Sequence, residues 1–250
     1  MRSLAIVAAV VIVTGAKPAF GQVPSPGRVG LTVEGLNVWQ DRNDVRIPPD
    51  SGTPFSIVDL VGRAPTPSIR GELTIDVTER QELRFVYAPL RVTGRGTPVS
   101  PIAFAGGVFA PVPTEAEYQF SSYRGTWRYR VYQGRTWTWR VGATAFIRDA
   151  RIALAQPGQA AEDTDVGFVP LGHVSADARL SRRWHLAFDL DGTAAPQGRA
   201  FDFSATVNYR PLPRLTLSAG YRTLEGGADV DSVYAFAWLN AAIARLGVRF

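Results

Sequence analysis

The sequence of 250 residues contains no cysteine, one methionine, two histidines and a single lysine. Without cysteine the chain cannot form a disulfide framework, a thiolate metal site or a cysteine nucleophile. Two histidines leave little room for a histidine-rich metal centre. Because Lys17 is the only lysine, the remaining positive side chains are arginines, which suit buried ion pairs better than lysine does.

Phosphate-binding loops are also missing. No glycine-rich loop leads from a predicted strand into a helix, so nucleotide binding has no support. Basic and acidic side chains alternate along the same predicted strands, which disfavours nucleic-acid binding. We therefore expect no cofactor, no metal site and no nucleic-acid partner. Hydrophobic residues make up 46% of the chain, against 27 basic and 22 acidic residues, which excludes a disordered protein.

Residues 1–21 have the three parts of a secretory signal peptide. Arg2 supplies a positive charge, residues 4–13 are apolar, and Ala19 and Gly21 place small side chains at the −3 and −1 positions of a cleavage site. The apolar core is too short for a membrane-spanning helix, which needs about 20 residues. A membrane-anchored N-terminus is the alternative. No later apolar stretch approaches that length, so we expect no transmembrane helix.

The rest of the chain alternates apolar and polar residues with a period of two. Residues 137–148 show the pattern clearly, with Trp139 and Val141 on one face and Thr138 and Arg140 on the other. A helix would scatter these two sets around its axis, whereas a strand separates them. The pattern predicts ten strands, at residues 29–39, 67–78, 82–93, 116–131, 136–151, 166–180, 184–193, 199–210, 214–224 and 232–250.

The predicted connections alternate in length. Four are tight, near residues 79–81, 133–135, 181–183 and 211–213. The other five are longer and polar or rich in Gly and Pro, at residues 40–66, 94–115, 152–165, 194–198 and 225–231. Short turns at one end of a barrel and longer loops at the other are typical of outer-membrane barrels, and an even number of strands returns both ends of the chain to the same side.

The last strand carries a further signature. Ala242, Ala244, Leu246, Val248 and the terminal Phe250 share one face. This ending resembles that of bacterial outer-membrane β-barrels, in which the terminal aromatic residue is an insertion signal. The resemblance covers the whole chain after the signal peptide, but it identifies no subfamily.

The resemblance implies an all-β fold: a closed antiparallel up-and-down transmembrane barrel of about ten strands, with eight or twelve as alternatives. It implies a porin-like location in the Gram-negative outer membrane, with a periplasmic lead at residues 22–28 and the barrel at 29–250. Expected partners are outer-membrane lipids, lipopolysaccharide and the barrel-insertion machinery. The oligomeric state stays open, and a soluble secreted barrel or sandwich is the alternative fold.

Aromatic residues cluster at predicted strand ends, as in the two interfacial girdles of membrane barrels. Those toward the tight turns are Trp127, Tyr129, Trp137, Trp139, Trp184, Tyr209 and Phe250. Those toward the longer loops are Tyr221, Tyr234, Phe236 and Trp238.

The predicted inward face mixes charges of both signs. Its members are Glu34, Glu72, Asp76, Arg84, Arg124, Arg128, Arg140, Arg148, Asp177, Arg179, Asp189, Asp191, Asp202, Arg210 and Arg222. Unpaired buried charge is costly, so these side chains are expected to form an ion network that occludes the lumen. This favours a structural or surface-interaction role. The alternative is a narrow channel for small solutes, in which Arg124, Arg128, Arg140 and Arg148 would favour anions.

A hydrolase is the second alternative. Two inward sets resemble catalytic groups: His173, Ser175 and Asp177 on one strand, and His185, Asp189 and Asp191 on the next. In the first set the Cα atoms are about 6–7 Å apart at each step, so the side chains meet only with help from neighbours. The second set is similar to the His and Asp groups of the ten-stranded omptin proteases, but His185 lies beside the tight turns and not near the outer rim. We expect no catalytic residue.

Two acidic clusters occupy the predicted loops. One contains Asp41, Asn43, Asp44 and Asp50, and the other contains Glu225, Asp229 and Asp231. Their oxygen atoms are ligands that suit Ca²⁺, or a divalent bridge to lipopolysaccharide phosphates. The spacing matches no EF-hand loop, so we interpret them as solvated carboxylates.

Overall fold

The computed structural model of the protein describes residues 28–196, 198–230 and 233–250. In these residues the chain consists of long antiparallel strands, as the period-two alternation predicts. The predicted signal peptide and residues 22–27 of the predicted lead lie outside the described residues.

Ten strands form the wall of the molecule. In chain order the elements are β1 (Val29–Arg46), β2 (Phe55–Ser56), α1 (Ile57–Val61), β3 (Thr66–Asp76), β4 (Gln81–Ala88), β5 (Arg91–Gly96), β6 (Ile102–Phe104), β7 (Gly107–Phe109), β8 (Thr114–Gln133), β9 (Trp137–Gln156), β10 (Gln159–Arg179), β11 (Trp184–Ala195), β12 (Gly198–Leu212), β13 (Leu215–Val230) and β14 (Val233–Arg249). β4 and β5 pair with successive parts of β8 and form one wall strand, which Pro89 interrupts because proline lacks an N–H.

The wall closes on itself. Each strand pairs antiparallel with the next, and β14 pairs with β1 from Gly30 opposite Arg249 to Arg46 opposite Tyr234. An open sheet of ten strands would have two free edges with unpaired backbone N–H and C=O groups, and closure removes both. A wall exposed to lipid must be closed in this way, because lipid offers these groups no hydrogen-bond partner. The predicted closed antiparallel barrel of ten strands is therefore confirmed.

The four tight connections lie where the sequence predicts them. They span residues 77–80, 134–136, 180–183 and 213–214. In two of them a side-chain hydroxyl forms the turn: Thr78 Oγ1 accepts a hydrogen bond from the backbone N–H of Gln81 at 3.0 Å, and Ser181 Oγ accepts one from that of Trp184 at 3.1 Å. Such local bonds are the reason that Ser and Thr favour turns. We call this end of the barrel the turn end, and the opposite end the loop end.

At the loop end several predicted loops are wrong. Most of the predicted loop 152–165 is strand, since β9 and β10 continue to a connection at residues 157–158. Residues 40–46 extend β1, and residues 225–230 extend β13. The strands were predicted too short because the alternation reverses its polarity there. On β9, Ile152 and Leu154 are buried while Arg151 is on the outer surface, bonded to Glu162.

The β9–β10 hairpin extends beyond its neighbour. Residues 159–171 of β10 pair with β9, but the described pairing of β10 with β11 begins only at Gly172 opposite Gly192. Among the described residues, one edge of β10 is therefore unpaired over residues 159–171.

The loop end is filled by an apolar cap. Helix α1 and the β6–β7 hairpin fold into the barrel mouth and pack on inward side chains of the wall. Gly94 and Gly96 allow this approach, since a Cβ atom at either would lie 2.5–2.6 Å from the backbone of Val61 or Leu60. The buried side chains of the cap include Val38, Val45, Ile57, Leu60, Ile102, Phe104, Phe109, Ala116, Tyr118, Ile152, Leu154, Leu239 and Ile243. None of the described helices is long and apolar enough to cross a membrane.

The outer surface of the wall carries a belt of exposed apolar side chains. They include Leu31, Val33, Phe85, Val141, Ile147, Val174, Leu190, Phe203, Val207, Leu217 and Leu246, each at least 36% exposed. A monomeric protein in water rarely exposes an apolar surface that surrounds the molecule. The belt therefore indicates that the wall contacts lipid.

Candidate functional site: the barrel lumen

Inward side chains from seven strands meet halfway along the lumen. We call this group the ionic layer. It consists of Glu34, Arg70, Arg84, Arg124, Asp189, Asp191, Asp202 and Arg222. All but Asp189, which is largely buried, are buried. The layer contains four carboxylates and four guanidinium groups, so its formal charge is zero. This balance is what burial requires, because an uncompensated buried charge costs several kcal/mol.

One half of the ionic layer is centred on Asp202. Its carboxylate bonds to the Arg222 guanidinium, lies 2.6 Å from Arg124 Nη1 and lies 3.6 Å from Arg70 Nη1. Glu34 contacts Arg222 at 3.3 Å. Each arginine in this half therefore faces at least one carboxylate.

The other half of the ionic layer is centred on Asp191. Arg84 donates to Asp189 at 2.8 Å and to Asp191 at 3.4 Å. Asp191 Oδ1 accepts a bond from Thr144 Oγ1 and lies 2.8 Å from Nδ1 of His173. These contacts join β4, β9, β10 and β11 across the lumen.

The structure brings most of the predicted inward residues into ion pairs. Besides the ionic layer, the pairs are Arg128 with Glu82 and Asp189, Arg140 with Asp177, Arg148 with Asp165, Asp76 with Arg249, and Glu72 with Arg84. Arg179 and Arg210 are the exceptions. Both are exposed near the turn end, and neither has a carboxylate partner among the described residues.

Several members of the network were missed from the sequence. Arg70, Glu82, Asp165 and Arg245 take part in the lumen ion pairs, and Arg245 bonds to Glu34. Arg70 could have been found from the alternation. It lies two residues before Glu72, on the same inward face, while Ile69 faces outward. Asp165 could not, because it lies in the part of β10 that was predicted to be a loop.

The predicted catalytic sets do not assemble as such. His173 contacts Asp191 on the adjacent strand, while Ser175 Oγ has no described hydrogen-bond partner and Asp177 is paired with Arg140. His185 lies near the turn end and outside the ionic layer.

One described group has the geometry of a metal site. His173, Asp189 and Asp191 each offer a ligand atom, and these atoms lie within 4.8 Å of one another. Arg84 and Arg124 already occupy the carboxylates, at 2.8–3.4 Å. A divalent cation there would have to displace two guanidinium groups, so we interpret the cluster as part of the ionic layer.

Two cavities lined by described residues lie in the lumen, one on each side of the ionic layer. The smaller, of about 60 Å³, lies on the loop-end side and is lined by Leu36, Leu90, Phe120 and Leu239 above the arginines of the layer. The larger, of about 540 Å³, lies on the turn-end side. The two cavities share no lining residue, since Arg124 and Asp202 line the first and Arg84 and Asp189 the second.

The predicted loop clusters lie apart from the lumen network. Asp41 accepts a bond from Asn240, Asp44 pairs with Arg42, and Glu225 pairs with Arg199. Asn43 is buried against Gln40 at 2.7 Å. Neither cluster forms a ligand set of three among the described residues, and Asp231 lies outside them.

The predicted aromatic girdle residues lie on the outer surface at the two borders of the belt. Trp127, Trp137, Trp139, Trp184 and Phe250 are exposed near the turn end, and Trp184 packs on Tyr209 with ring centroids 4.8 Å apart. Tyr221 and Trp238 are exposed toward the loop end. Trp238 Nε1 donates to Thr223 at 2.9 Å, which pairs its polar atom at the edge of the belt.

The barrel is similar to solved structures of the same class. The outer-membrane protease OmpT from Escherichia coli superposes with a TM-score of 0.54 and 8% sequence identity, covering 92% of this chain and 99% of that one. An outer-membrane channel from Pseudomonas putida F1 and the attachment protein Ail of Yersinia pestis match more loosely. Their TM-scores are 0.43 and 0.39, at 10% and 9% identity, over 94% and 86% of this chain and 100% and 98% of theirs.

The chain is a bacterial outer-membrane β-barrel. The closed wall, the lipid-facing belt and the fold shared with the first of these structures carry that conclusion. At 8% identity the likeness concerns the fold alone. No protein-family model and no curated protein matches the sequence. In barrels of this class the short turns face the periplasm and the longer loops face outward.

Proposed function

We propose that this barrel is a non-conducting, non-enzymatic envelope protein with a structural or surface-interaction role. The observation that supports this most directly is the separation of the two lumen cavities by the ionic layer. An ion that crosses the layer would have to break ion pairs such as that of Arg124 with Asp202, which are 2.6 Å apart. No described side chain outside the layer forms an ion pair with either of the two separated groups. The apolar cap adds a second barrier, because its buried aliphatic and aromatic side chains cannot replace the water around a hydrated ion.

Single-channel recording of the refolded protein in a planar bilayer tests the proposal. Insertion is checked first by the gel shift between boiled and unboiled samples. We expect silence from inserted wild-type protein. Discrete, reproducible conductance steps would overturn the closed-lumen proposal and favour the narrow channel.

Three variants show which barrier matters. The first replaces residues 101–110 of the cap with a Gly-Ser linker, and the second carries Arg124→Ala with Asp202→Ala. We expect each to stay silent, since the other barrier is intact, and we expect the combination to conduct. The combined variant thus shows that the assay detects an open lumen of this width.

We infer that His173 has a structural role. Its side chain is fully buried, Nδ1 lies against Asp191, and Nε2 lies 3.8 Å from Asp189 Oδ2. A peptide or lipid carbonyl has no access to a ring held in this way. Incubation of the folded barrel with fluorogenic peptide and ester substrates is expected to give no turnover. Turnover that is abolished by His173→Gln would refute this inference.

We propose lipopolysaccharide as the lipid partner of the outer rim. Phe236 lies between two guanidinium groups, those of Arg42 and Arg199, at 4.9 and 4.8 Å from its ring centroid. Arginine beside an aromatic ring at the outer edge of the belt suits a phosphorylated lipid headgroup. The barrel should unfold at a higher temperature in lipopolysaccharide than in phosphatidylcholine, and Arg42→Gln with Arg199→Gln should reduce that gain. An unchanged gain would contradict this assignment.

A further inference from the structure

The larger lumen cavity is a pocket that opens at the periplasmic end. We call it the vestibule. Its roof is the ionic layer at Arg84 and Asp189, and its rim includes residues 133–136 and 213–214 of two tight turns. Its volume of about 540 Å³ is within the range of small-molecule sites.

The lining of the vestibule is strongly basic. It contains nine arginines and four carboxylates, an excess of five positive charges. Two of the arginines, Arg245 and Arg249, pair with Glu34 and Asp76, which lie outside the lining. Even with these two carboxylates counted, the cations lead by three. The rest of the ionic layer does not offset this excess: apart from Arg84 and Asp189 of the lining and Glu34, already counted, it holds three arginines and two carboxylates.

Four of the nine arginines stand without a carboxylate partner in the described part of the chain: Arg135, Arg179, Arg210 and Arg214. Arg179 donates to the backbone carbonyl of Arg135 at 2.6 Å, which holds one guanidinium at the rim. Deeper in the vestibule, Ser175 is 6% exposed and its Oγ has no described hydrogen-bond partner. A buried hydroxyl without a partner leaves a donor available to a ligand.

We propose that the vestibule binds a small phosphate-bearing anion from the periplasmic side. Guanidinium groups match the paired oxygens of phosphate, and charges around a narrow low-dielectric pocket act together on an anion inside it. Hydroxyls such as those of Thr138, Ser175 and Thr206 supply further donors along the wall. This inference goes beyond the closed-lumen proposal, because the ligand enters and leaves through the same opening.

Titration calorimetry with inorganic pyrophosphate on the full refolded barrel, in a zwitterionic detergent, tests the inference. We expect one saturable site per barrel. Arg179→Gln and Arg210→Gln should each weaken binding about tenfold, because each removes one charge-assisted hydrogen bond. The matched control is Arg182→Gln, which lies at the same end of the barrel, on a turn outside the vestibule lining. It should leave the dissociation constant within about twofold.

Three results would overturn the assignment. The first is an absence of binding by protein that passes the gel-shift test. The second is an equal loss with Arg182→Gln, which would mean general attraction to a basic surface. The third is binding of citrate as tight as that of pyrophosphate, which would refute phosphate as the ligand class. Because the assay measures binding and not current, a conducting barrel would contradict the closed-lumen proposal without affecting this one.

Discussion

Asp202→Asn tests the ionic layer with the smallest change in shape. In the wild type the carboxylate of Asp202 is shared by three buried guanidinium groups, those of Arg70, Arg124 and Arg222. The amide keeps the size of the side chain but removes the negative charge. Four guanidinium groups then face three carboxylates, and the layer acquires a formal charge of +1.

The expected cost follows from that imbalance. Removing one partner of a buried ion pair costs about 3–5 kcal/mol, because the remaining charge stays buried. Arg222 keeps Glu34 at 3.3 Å and Arg124 keeps Asp191 at 3.2 Å, so we expect the lower part of this range. With an m-value on the order of 3 kcal/mol per M in urea, the unfolding midpoint should fall by about 1 M.

Urea unfolding in lipid vesicles, followed by tryptophan fluorescence, measures this shift. The matched control is Glu225→Gln, because Glu225 pairs with Arg199 at 2.5 Å on the outer surface, where the arginine is 52% exposed. Exposed pairs contribute about 0–1 kcal/mol, so the control should move the midpoint little. Equal shifts for Asp202→Asn and Glu225→Gln would refute the view that the layer is a buried, charge-balanced barrier.

Three further changes probe the wall, the cap and the girdle. Gly142→Ala should lower the free energy of unfolding by about 1–3 kcal/mol, since its Cβ would lie 1.9 Å from the backbone oxygen of Trp127. Gly71→Ala, where the added Cβ meets no atom within 4 Å, is its control. Phe104→Ala should expose residues 97–113 to protease while the gel shift persists, because Phe104 is buried in the cap and not in the wall. In a variant that keeps Trp238 as its single tryptophan, the fluorescence of Trp238 should be quenched more by lipids labelled near the headgroup than by lipids labelled at the bilayer centre.

The wall could be predicted from the sequence because lipid imposes one simple rule on it. Within the belt each strand turns apolar side chains outward and polar ones inward, and this period of two is visible in a single chain. The four turns were predictable for a similar local reason, as with Thr78 and Ser181. These features depend on neighbours in sequence, so neither required knowledge of how the barrel closes.

The pairing inside the lumen could not be predicted in the same way. Arg84 and Asp189 are 105 residues apart and meet only because closure places β4 across the lumen from β11. The alternation along each strand indicates which side chains face the lumen. It does not indicate how far along the barrel axis each one lies, or which side chain it pairs with. Arg179 and Arg210 share the inward face with Arg84, yet they lie at the turn-end opening and have no described carboxylate partner.

We infer that the reversal of polarity along β9 marks the outer surface of the membrane. Below it, Ala143 is exposed on the lipid-facing surface; ten residues higher on the same face, Ala153 lies between Glu117 and Glu162 of the adjacent strands. An arginine facing lipid near the midplane costs about 2–4 kcal/mol, whereas one near or above the interface costs about 0–1 kcal/mol. Ala143→Arg should therefore destabilise the barrel in vesicles, while Ala153→Arg should be nearly neutral because it faces water and two carboxylates. Equal losses of unfolding free energy would mean that the reversal has another cause, and that β9 continues in lipid to its tip.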